Sequence, residues 1–370
     1  MEKNIKIVTF QRAQNYGAFL QAYALCNKLK NMGYNAKIVD YQNKNIDTKK
    51  PNKLIKPNLK WTLKSIYEYA KYHKKLNKKF SIFTKLIEKE LPLTSKITNI
   101  NDFEKIIDEK DILITGSDQV WNPIITKGVD NVYTLNVKKE NVKKISYAPS
   151  IGNIDNLKNF EDIFFNNISN IDHISIREKS SKEFLEKKMN NKMIFNAIDP
   201  TLLLRKEEWD KTIEKINTKK IEDYILAYDV APNEDYLKIV NHLSNETGLK
   251  VIHFDLKNIY KNVLENRYIA DPFEFVSLIK NAKYVVTTSF HATVFSIIYN
   301  KKFIVVPHKQ TGKRVTDLLD ELYLSNRYVF NFNDFKIDTI NKQDDYEKIE
   351  LILNEMRDKS TKWLKQSIDD

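Results

Sequence analysis

Short apolar runs, polar loops and amphipathic stretches alternate along the chain. Residues 5–10 are apolar enough for a buried strand, and residues 11–17 form a polar loop. Residues 18–32 then repeat apolar positions at helical spacing through Leu20, Tyr23, Ala24 and Leu29. Gly33 stands where a helix C-cap glycine belongs, and residues 36–41 read as the next strand, ending at Asp40 and Tyr41. The pattern resumes with strands predicted at 111–115, 144–148 and 173–176, the last followed by a helix to Lys188. A second series follows: strands at 224–228, 250–254, 284–288 and 303–306, with helices near 235–246 and 272–281 and a terminal helix over 345–365. Strand and helix in alternation predict parallel sheets, and in such sheets ligands bind beyond the carboxyl ends of the strands. The fold class expected is α/β, with two Rossmann-like domains facing a cleft. Their predicted extents are 1–205 and 220–340, followed by a C-terminal helix over 341–370.

Between the first and second strand groups the pattern changes. Leu59, Leu63, Ile66, Ala70, His73, Leu76, Phe80, Phe83 and Ile87 recur at three- and four-residue steps, which predicts an amphipathic helix or helical hairpin inserted at about 42–95. Charge singles out the same segment. The 370 residues carry 61 Lys and Arg against 49 Asp and Glu, a net +12. Residues 42–90 hold fourteen lysines and only Asp47, Glu68, Glu88 and Glu90, so +10 of the total is local. With Trp61, Tyr67, Tyr69 and Tyr72 on its flanks, the segment has three readings. It is a solvated lysine face, a surface for an anionic membrane through residues 59–87, or an RNA-binding face. No nucleic-acid motif accompanies it, so no nucleic-acid partner is expected.

Composition removes other classes. Apolar residues make up 42% and aromatics 11%, enough for real cores. The single Cys26 excludes an intrachain disulfide framework and any multi-cysteine zinc site. No signal-peptide pattern opens the sequence and no apolar run approaches membrane-spanning length. A cytoplasmic protein is expected, peripheral on the inner face of the membrane if the basic segment docks there. Dinucleotide, zinc-protease and serine-hydrolase motifs are missing, and no cofactor is expected.

Candidate chemistry collects at strand ends. Arg177 follows an apolar strand, and its planar fork suits a carboxylate or phosphate; the alternative is a local ion pair with Glu178 or Asp199. His291 opens a helix that Ser289 is placed to cap, where free N–H groups favour an anion and the imidazole can supply a proton; a structural histidine is the alternative. In the loop Gly116-Ser-Asp-Gln-Val-Trp-Asn-Pro123, Trp121 could stack on a sugar and Asp118, Gln119 and Asn122 could bond its hydroxyls, unless Trp121 is plain core. Lys309, Lys313 and Arg314 lie in a stretch like a phosphate loop but without Walker spacing.

Taken in order, several motifs resemble one family. They are Ile7-Val-Thr-Phe, Asn15-Tyr-Gly-Ala-Phe-Leu-Gln-Ala-Tyr23, the 116–123 loop, Ser146-Tyr-Ala-Pro-Ser-Ile-Gly152, Ser175-Ile-Arg-Glu-Lys-Ser180, Asp199-Pro-Thr201 and Ser289-Phe-His291. From about residue 4 to residue 327 the chain resembles the polysaccharide pyruvyl transferases. The resemblance implies a GT-B-like fold and transfer of a pyruvyl group from phosphoenolpyruvate to a sugar of a capsule or other exopolysaccharide, or of its lipid-linked oligosaccharide precursor. The product is a cyclic ketal, and phosphate is released.

It also implies that Arg177 and His291 contact phosphoenolpyruvate; from its place in the 116–123 loop, Asp118 is the candidate base near the acceptor. Ser289, Lys309, Lys313, Arg314 and Ser150 then fall on the donor side, and Asn15, Tyr16, Gln119, Trp121 and Asn122 on the acceptor side. Two positions depart from the pattern: some members carry Arg where this chain has Ser289, and Gly is usual where it has Ala292. The rival expectations are a GT-B glycosyltransferase using a nucleotide sugar, or a non-catalytic glycan- or RNA-binding relative.

Overall fold

The computed structural model describes residues 3–46, 59–190, 192–214, 216, 222–230, 233–257, 259–307 and 312–370, with the side chains of 59–66, 68 and 69 left out. Seven strands form the first sheet: β1 (Asn4–Val8), β2 (Asn35–Tyr41), β3 (Leu93–Ile97), β4 (Ile112–Thr115), β5 (Lys143–Ser146), β6 (His173–Ile176) and β7 (Ile194–Asn196). Their order is β3-β2-β1-β4-β5-β6-β7 and every pairing is parallel. The second sheet holds β8 (Tyr224–Tyr228), β9 (Lys250–His253), β10 (Val263–Asn266), β11 (Tyr284–Thr287) and β12 (Lys302–Val305), ordered β10-β9-β8-β11-β12 and again fully parallel. Each sheet reverses its strand order beside its first strand, between β1 and β4 and between β8 and β11. Crevices for ligands form at such switch points.

The central strands bury both faces, as ILIT in β4 and YVVT in β11 do, because helices cover a parallel sheet on both sides. The strands that the residue pattern does not reveal are β3, β7 and β10, and all three are sheet edges. Their sequences LTSKI, IFN and VLEN are short and only partly buried, so they lack the continuous apolar run that marks a central strand.

The two sheets share one apolar core. Tyr16, at the start of helix Tyr16–Asn31, stacks on Phe275 at 4.5 Å with the rings 6° apart, and packs edge-on to Tyr228 and Phe254. Phe19 and Tyr23, on the same helix, meet Phe273. Such aromatic pairs add about 0.5–1.5 kcal/mol each beyond burial, so the two halves are joined by packing. The last helix, Tyr346–Asp369, returns to the first sheet: Arg357 Nε donates to the Leu202 carbonyl and Ser360 Oγ accepts from the Ile198 N–H.

The basic segment is one continuous helix, Leu59–Glu90, of 32 residues, and so about 48 Å long. Its C-terminal part is anchored by Phe83 and Ile87, both buried. Lys79 bridges the two halves, its ammonium 4.9 Å from the Tyr16 ring and 4.5 Å from the Tyr268 ring. Lys71, Lys74, Lys75, Lys78, Lys85 and Lys89 stay exposed. Among the described residues no helix is long and apolar enough to cross a membrane.

Candidate active site

Arg177 stands one residue beyond β6, at the carboxyl end of the first sheet. Its Nη1 donates to Asp199 Oδ2 at 2.7 Å, and its Nε lies 3.4 Å from Glu178 Oε1. Asp199 is the N-cap of the short helix Pro200–Leu203, which fixes its position. Oδ1 accepts from the Thr201 N–H at 3.0 Å and the Thr201 hydroxyl at 2.6 Å, while Oδ2 also accepts from Ser117 at 3.1 Å. His291 reaches the same oxygen from the second sheet, with Nε2 3.6 Å from Asp199 Oδ2. Burial by itself would raise the Asp199 carboxyl, but His291 and Arg177 outweigh it and hold the group well below the usual carboxylate range.

Local sequence explains the placement of His291. Ser289 caps helix Phe290–Ile298, its Oγ accepting from the Ala292 N–H, so the histidine sits in the first turn at the switch point of the second sheet. The ring lies flat against the first helix of the other half. A Cβ at Gly17 would fall 1.9 Å from His291 Nδ1, so only glycine allows the approach.

Phe290 gathers two cations. The Arg177 guanidinium lies 4.7 Å from its ring centre and that of Arg314 5.9 Å. Burial first, and Arg177 second, push the Arg314 guanidinium below its ordinary value. Arg177 is also penalised by burial, but Glu178, Asp199 and Asp118 outweigh this and hold it charged. Arg177 Nη2 and Arg314 Nε are buried without a hydrogen-bond partner among the described residues. A buried N–H left unpaired costs about 1–3 kcal/mol, so both have room for an acceptor beyond the described residues. Arg177, Asp199, Phe290, Lys313 and Arg314 line one cavity of about 610 Å³. The N-terminus of helix Lys179–Lys188 opens on it through Lys179 and Ser180, and no side chain caps that helix.

The anticipated residues divide sharply. Arg177, Lys313 and Arg314 line the cavity; His291 does not, but its Nε2 lies 3.6 Å from Asp199, which does; Lys309 lies outside the described residues. Asp118 acts on both guanidiniums electrostatically but gives Oδ1 to the Gln119 N–H and does not line the cavity. Ser150 is fully buried, its hydroxyl accepts from the Gly152 N–H, and it does not line the cavity. Ser289 serves as the helix cap.

The acceptor set needs correcting. Trp121 is 2% exposed and edge-on to Phe164, its indole N–H donating to the Tyr133 carbonyl, which leaves no face for a sugar. Tyr16 is interdomain core. Asn15 caps helix Tyr16–Asn31 and Asn122 caps helix Pro123–Thr126, so their amide oxygens are taken by backbone N–H groups. Gln119 Oε1 accepts from Asn122. The loop is polar because it closes on itself. Asp199 and Glu178 carry more of the site than the residue pattern suggested; the signal for Asp199 was its place before Pro-Thr, where an Asp caps a helix.

Two parallel sheets with charged groups at the carboxyl ends of β6 and β11 fit a GT-B-like α/β fold. Solved structures of that fold resemble the chain. One is the UDP-GlcNAc 2-epimerase of Methanocaldococcus jannaschii in complex with UDP-GlcNAc and UDP: 14% identity, 98% of this chain and 94% of that one covered, TM-score 0.52. Others are S. aureus MnaA with UDP (11%, 98% and 91%, 0.53) and the UDP-N-acetylglucosamine 2-epimerase of Rickettsia bellii (13%, 100% and 97%, 0.50). At these identities the likeness is one of fold. No curated protein matches the sequence significantly. The family is set by the sequence itself: the model of the polysaccharide pyruvyl transferases matches residues 15–310, and the chain belongs to that family. It is a transferase that modifies polysaccharide.

Proposed function

We propose that this enzyme moves a pyruvyl group from phosphoenolpyruvate onto two hydroxyls of one sugar, in a cell-surface polysaccharide or its lipid-linked precursor, and releases phosphate. The observation that carries the reading is the pair of buried guanidinium N–H groups on Arg177 and Arg314 beside Phe290, each without an acceptor among the described residues. Two buried cations that repel one another gain most from a ligand with more than one negative charge. Phosphoenolpyruvate offers a carboxylate and a phosphate, and planar forks bind such groups in pairs. Lys313 and the free helix end at Lys179 add positive potential to the same cavity.

The chemistry needs a proton at the methylene carbon, attack of two hydroxyls on the adjacent carbon, and departure of phosphate. His291 supplies the proton. His291 Nε2 lies 3.6 Å from Asp199 Oδ2 and has no hydrogen-bond partner among the described residues, so it stays beside the carboxylate that Arg177 binds without being committed to it. A nucleotide-sugar donor is less well served. The ends of β8 and β9, which carry Tyr228 and Phe254, are packed against Tyr16 and Phe275, so that part of the interdomain space is filled.

The exposed lysines of helix Leu59–Glu90 suit the inner face of an anionic membrane, at about 1 kcal/mol for each one near the surface. That placement would hold the enzyme beside a lipid-linked acceptor.

The test is phosphate release from phosphoenolpyruvate in the presence of p-nitrophenyl hexopyranosides, with mass spectrometry for the ketal. Arg177→Ala and His291→Ala each lower the rate at least about tenfold, a threshold set below the roughly 100-fold or more that one acid–base group contributes. Near-normal rates in both, with folding intact, refute the assignment.

A further inference from the structure

The cavity is larger than its donor needs, and its carboxylates are not equivalent. Phosphoenolpyruvate has about ten non-hydrogen atoms, whereas about 610 Å³ is typical of a site for something several times that size. The polar loop expected to hold the acceptor is occupied with its own backbone, as Trp121, Asn122 and Gln119 show. Helix Lys313–Glu321, which opens with Lys313 and Arg314, presents Asp317 and Glu321 one and two turns further along the same wall. Neither makes a hydrogen bond or ion pair with a described residue, and burial lifts both carboxyl groups above their ordinary values. Leu318, Phe195 and Met356 supply apolar surface nearby. Carboxylate acceptors beside apolar surface match a sugar, which has hydroxyl donors on its rim and C–H groups on its faces.

Near the arginines, Asp199 is largely occupied: Oδ1 takes two donors from Thr201, and Oδ2 takes one each from Arg177 and Ser117 with His291 Nε2 3.6 Å away. Glu178 differs. Its side chain is 4% exposed, it lines the cavity, and Oε1 faces Arg177 while Oε2 has no partner among the described residues. It is a buried carboxylate with one oxygen to spare, one residue from the anion clamp.

We infer that a hexopyranoside with two neighbouring free hydroxyls binds in this cavity against Asp317 and Glu321, and that Glu178 takes the proton of the attacking hydroxyl. The inference rests on the donor reading above. In the first step the hydroxyl O–H bond breaks, its proton passes to Glu178, and the oxygen bonds to the central carbon of phosphoenolpyruvate. The C=C electron pair takes a proton from His291, giving a methyl group. In the second step the other hydroxyl bonds to the same carbon while the carbon–oxygen bond to phosphate breaks. Phosphate leaves with that electron pair, and the second hydroxyl proton ends on phosphate.

The test combines calorimetric titration of phosphoenolpyruvate with steady-state kinetics on a panel of p-nitrophenyl hexopyranosides that between them leave the 2,3, 3,4 and 4,6 hydroxyl pairs free. Glu178→Gln keeps an oxygen toward Arg177 but takes up no proton. It lowers kcat at least about 100-fold and leaves phosphoenolpyruvate binding within threefold of wild type (about 0.65 kcal/mol). Asp317→Asn combined with Glu321→Gln raises the glycoside KM at least about tenfold, the loss of charged acceptors, with the phosphoenolpyruvate KM unchanged. The inference is overturned if Glu178→Gln keeps more than a tenth of kcat, if it weakens donor binding in step with the rate, or if the double variant leaves the glycoside KM alone. Wild type that binds phosphoenolpyruvate but turns over no glycoside of the panel also overturns it. Wild type that fails to bind phosphoenolpyruvate refutes the donor reading instead.

Discussion

Gly17→Ala adds one methyl group to the enzyme, and the structure places it 1.9 Å from His291 Nδ1, 2.3 Å from Cγ and 2.5 Å from Cε1. Ordinary contact begins at 3.4 Å, so the overlap with Nδ1 is 1.5 Å. Neither partner moves easily, because Gly17 sits in the first turn of helix Tyr16–Asn31 and His291 in the first turn of helix Phe290–Ile298, both buried. Two effects on stability oppose each other. Overpacking costs about 1–3 kcal/mol, while alanine in a helix gains roughly 0.5–1 kcal/mol over glycine. The net loss is at most about 2.5 kcal/mol, a shift of several degrees or less in Tm. Activity is far more sensitive, since misplacing a catalytic group by about 1 Å costs on the order of 100-fold. Phosphate release should fall about 100-fold while the thermal melt shifts little. In a His291→Ala background the same substitution meets no ring, so it leaves the residual rate unchanged and is neutral or stabilising, a coupling that a double-mutant cycle isolates. Activity within threefold of wild type for Gly17→Ala alone would contradict the placement of His291.

Lys79 and the lysine stripe give two further tests. Burial pushes the Lys79 ammonium down to about 8, against about 10.4 in an unfolded chain. Between those values the unfolded state binds more protons, so this group's contribution to stability rises with pH. The Tm of wild type relative to Lys79→Met should therefore increase from pH 7.5 to 10; a flat or falling difference refutes the burial of that charge. Reversing Lys71, Lys74 and Lys78 to Glu, which leaves the buried Phe83 and Ile87 anchors in place, should weaken sedimentation with anionic vesicles at least about tenfold. Equal binding rules out this face as the membrane contact.

Central elements were legible in the residues because burial on both faces writes a continuous apolar run, as in β4 and β11. Edge strands β3, β7 and β10 were not, since half-exposed positions tolerate Lys, Asn and Glu. At the site, Arg177 and His291 could be read from their places directly after apolar strands. The acceptor loop misled because a polar residue that caps a helix and one that binds a sugar look alike along the chain. Asn15, Gln119 and Asn122 are of the first kind, with backbone or neighbouring side chains as partners. Trp121 followed them into the wrong set because nothing local distinguishes a buried indole from a stacking platform. The sharing of Asp199 by Arg177 and His291 depends on contacts across 22 and 92 residues, respectively, which no local pattern carries.

The central claim is that Arg177 and Arg314, each with a buried N–H that has no partner among the described residues, bind the two anionic groups of phosphoenolpyruvate. Calorimetric titration of wild type and of Arg177→Ala with phosphoenolpyruvate, and of wild type with uridine diphosphate, tests it directly. The account predicts saturable binding of phosphoenolpyruvate to wild type, at least about tenfold weaker binding to Arg177→Ala, and no comparable binding of uridine diphosphate. Uridine diphosphate binding where phosphoenolpyruvate does not would contradict it.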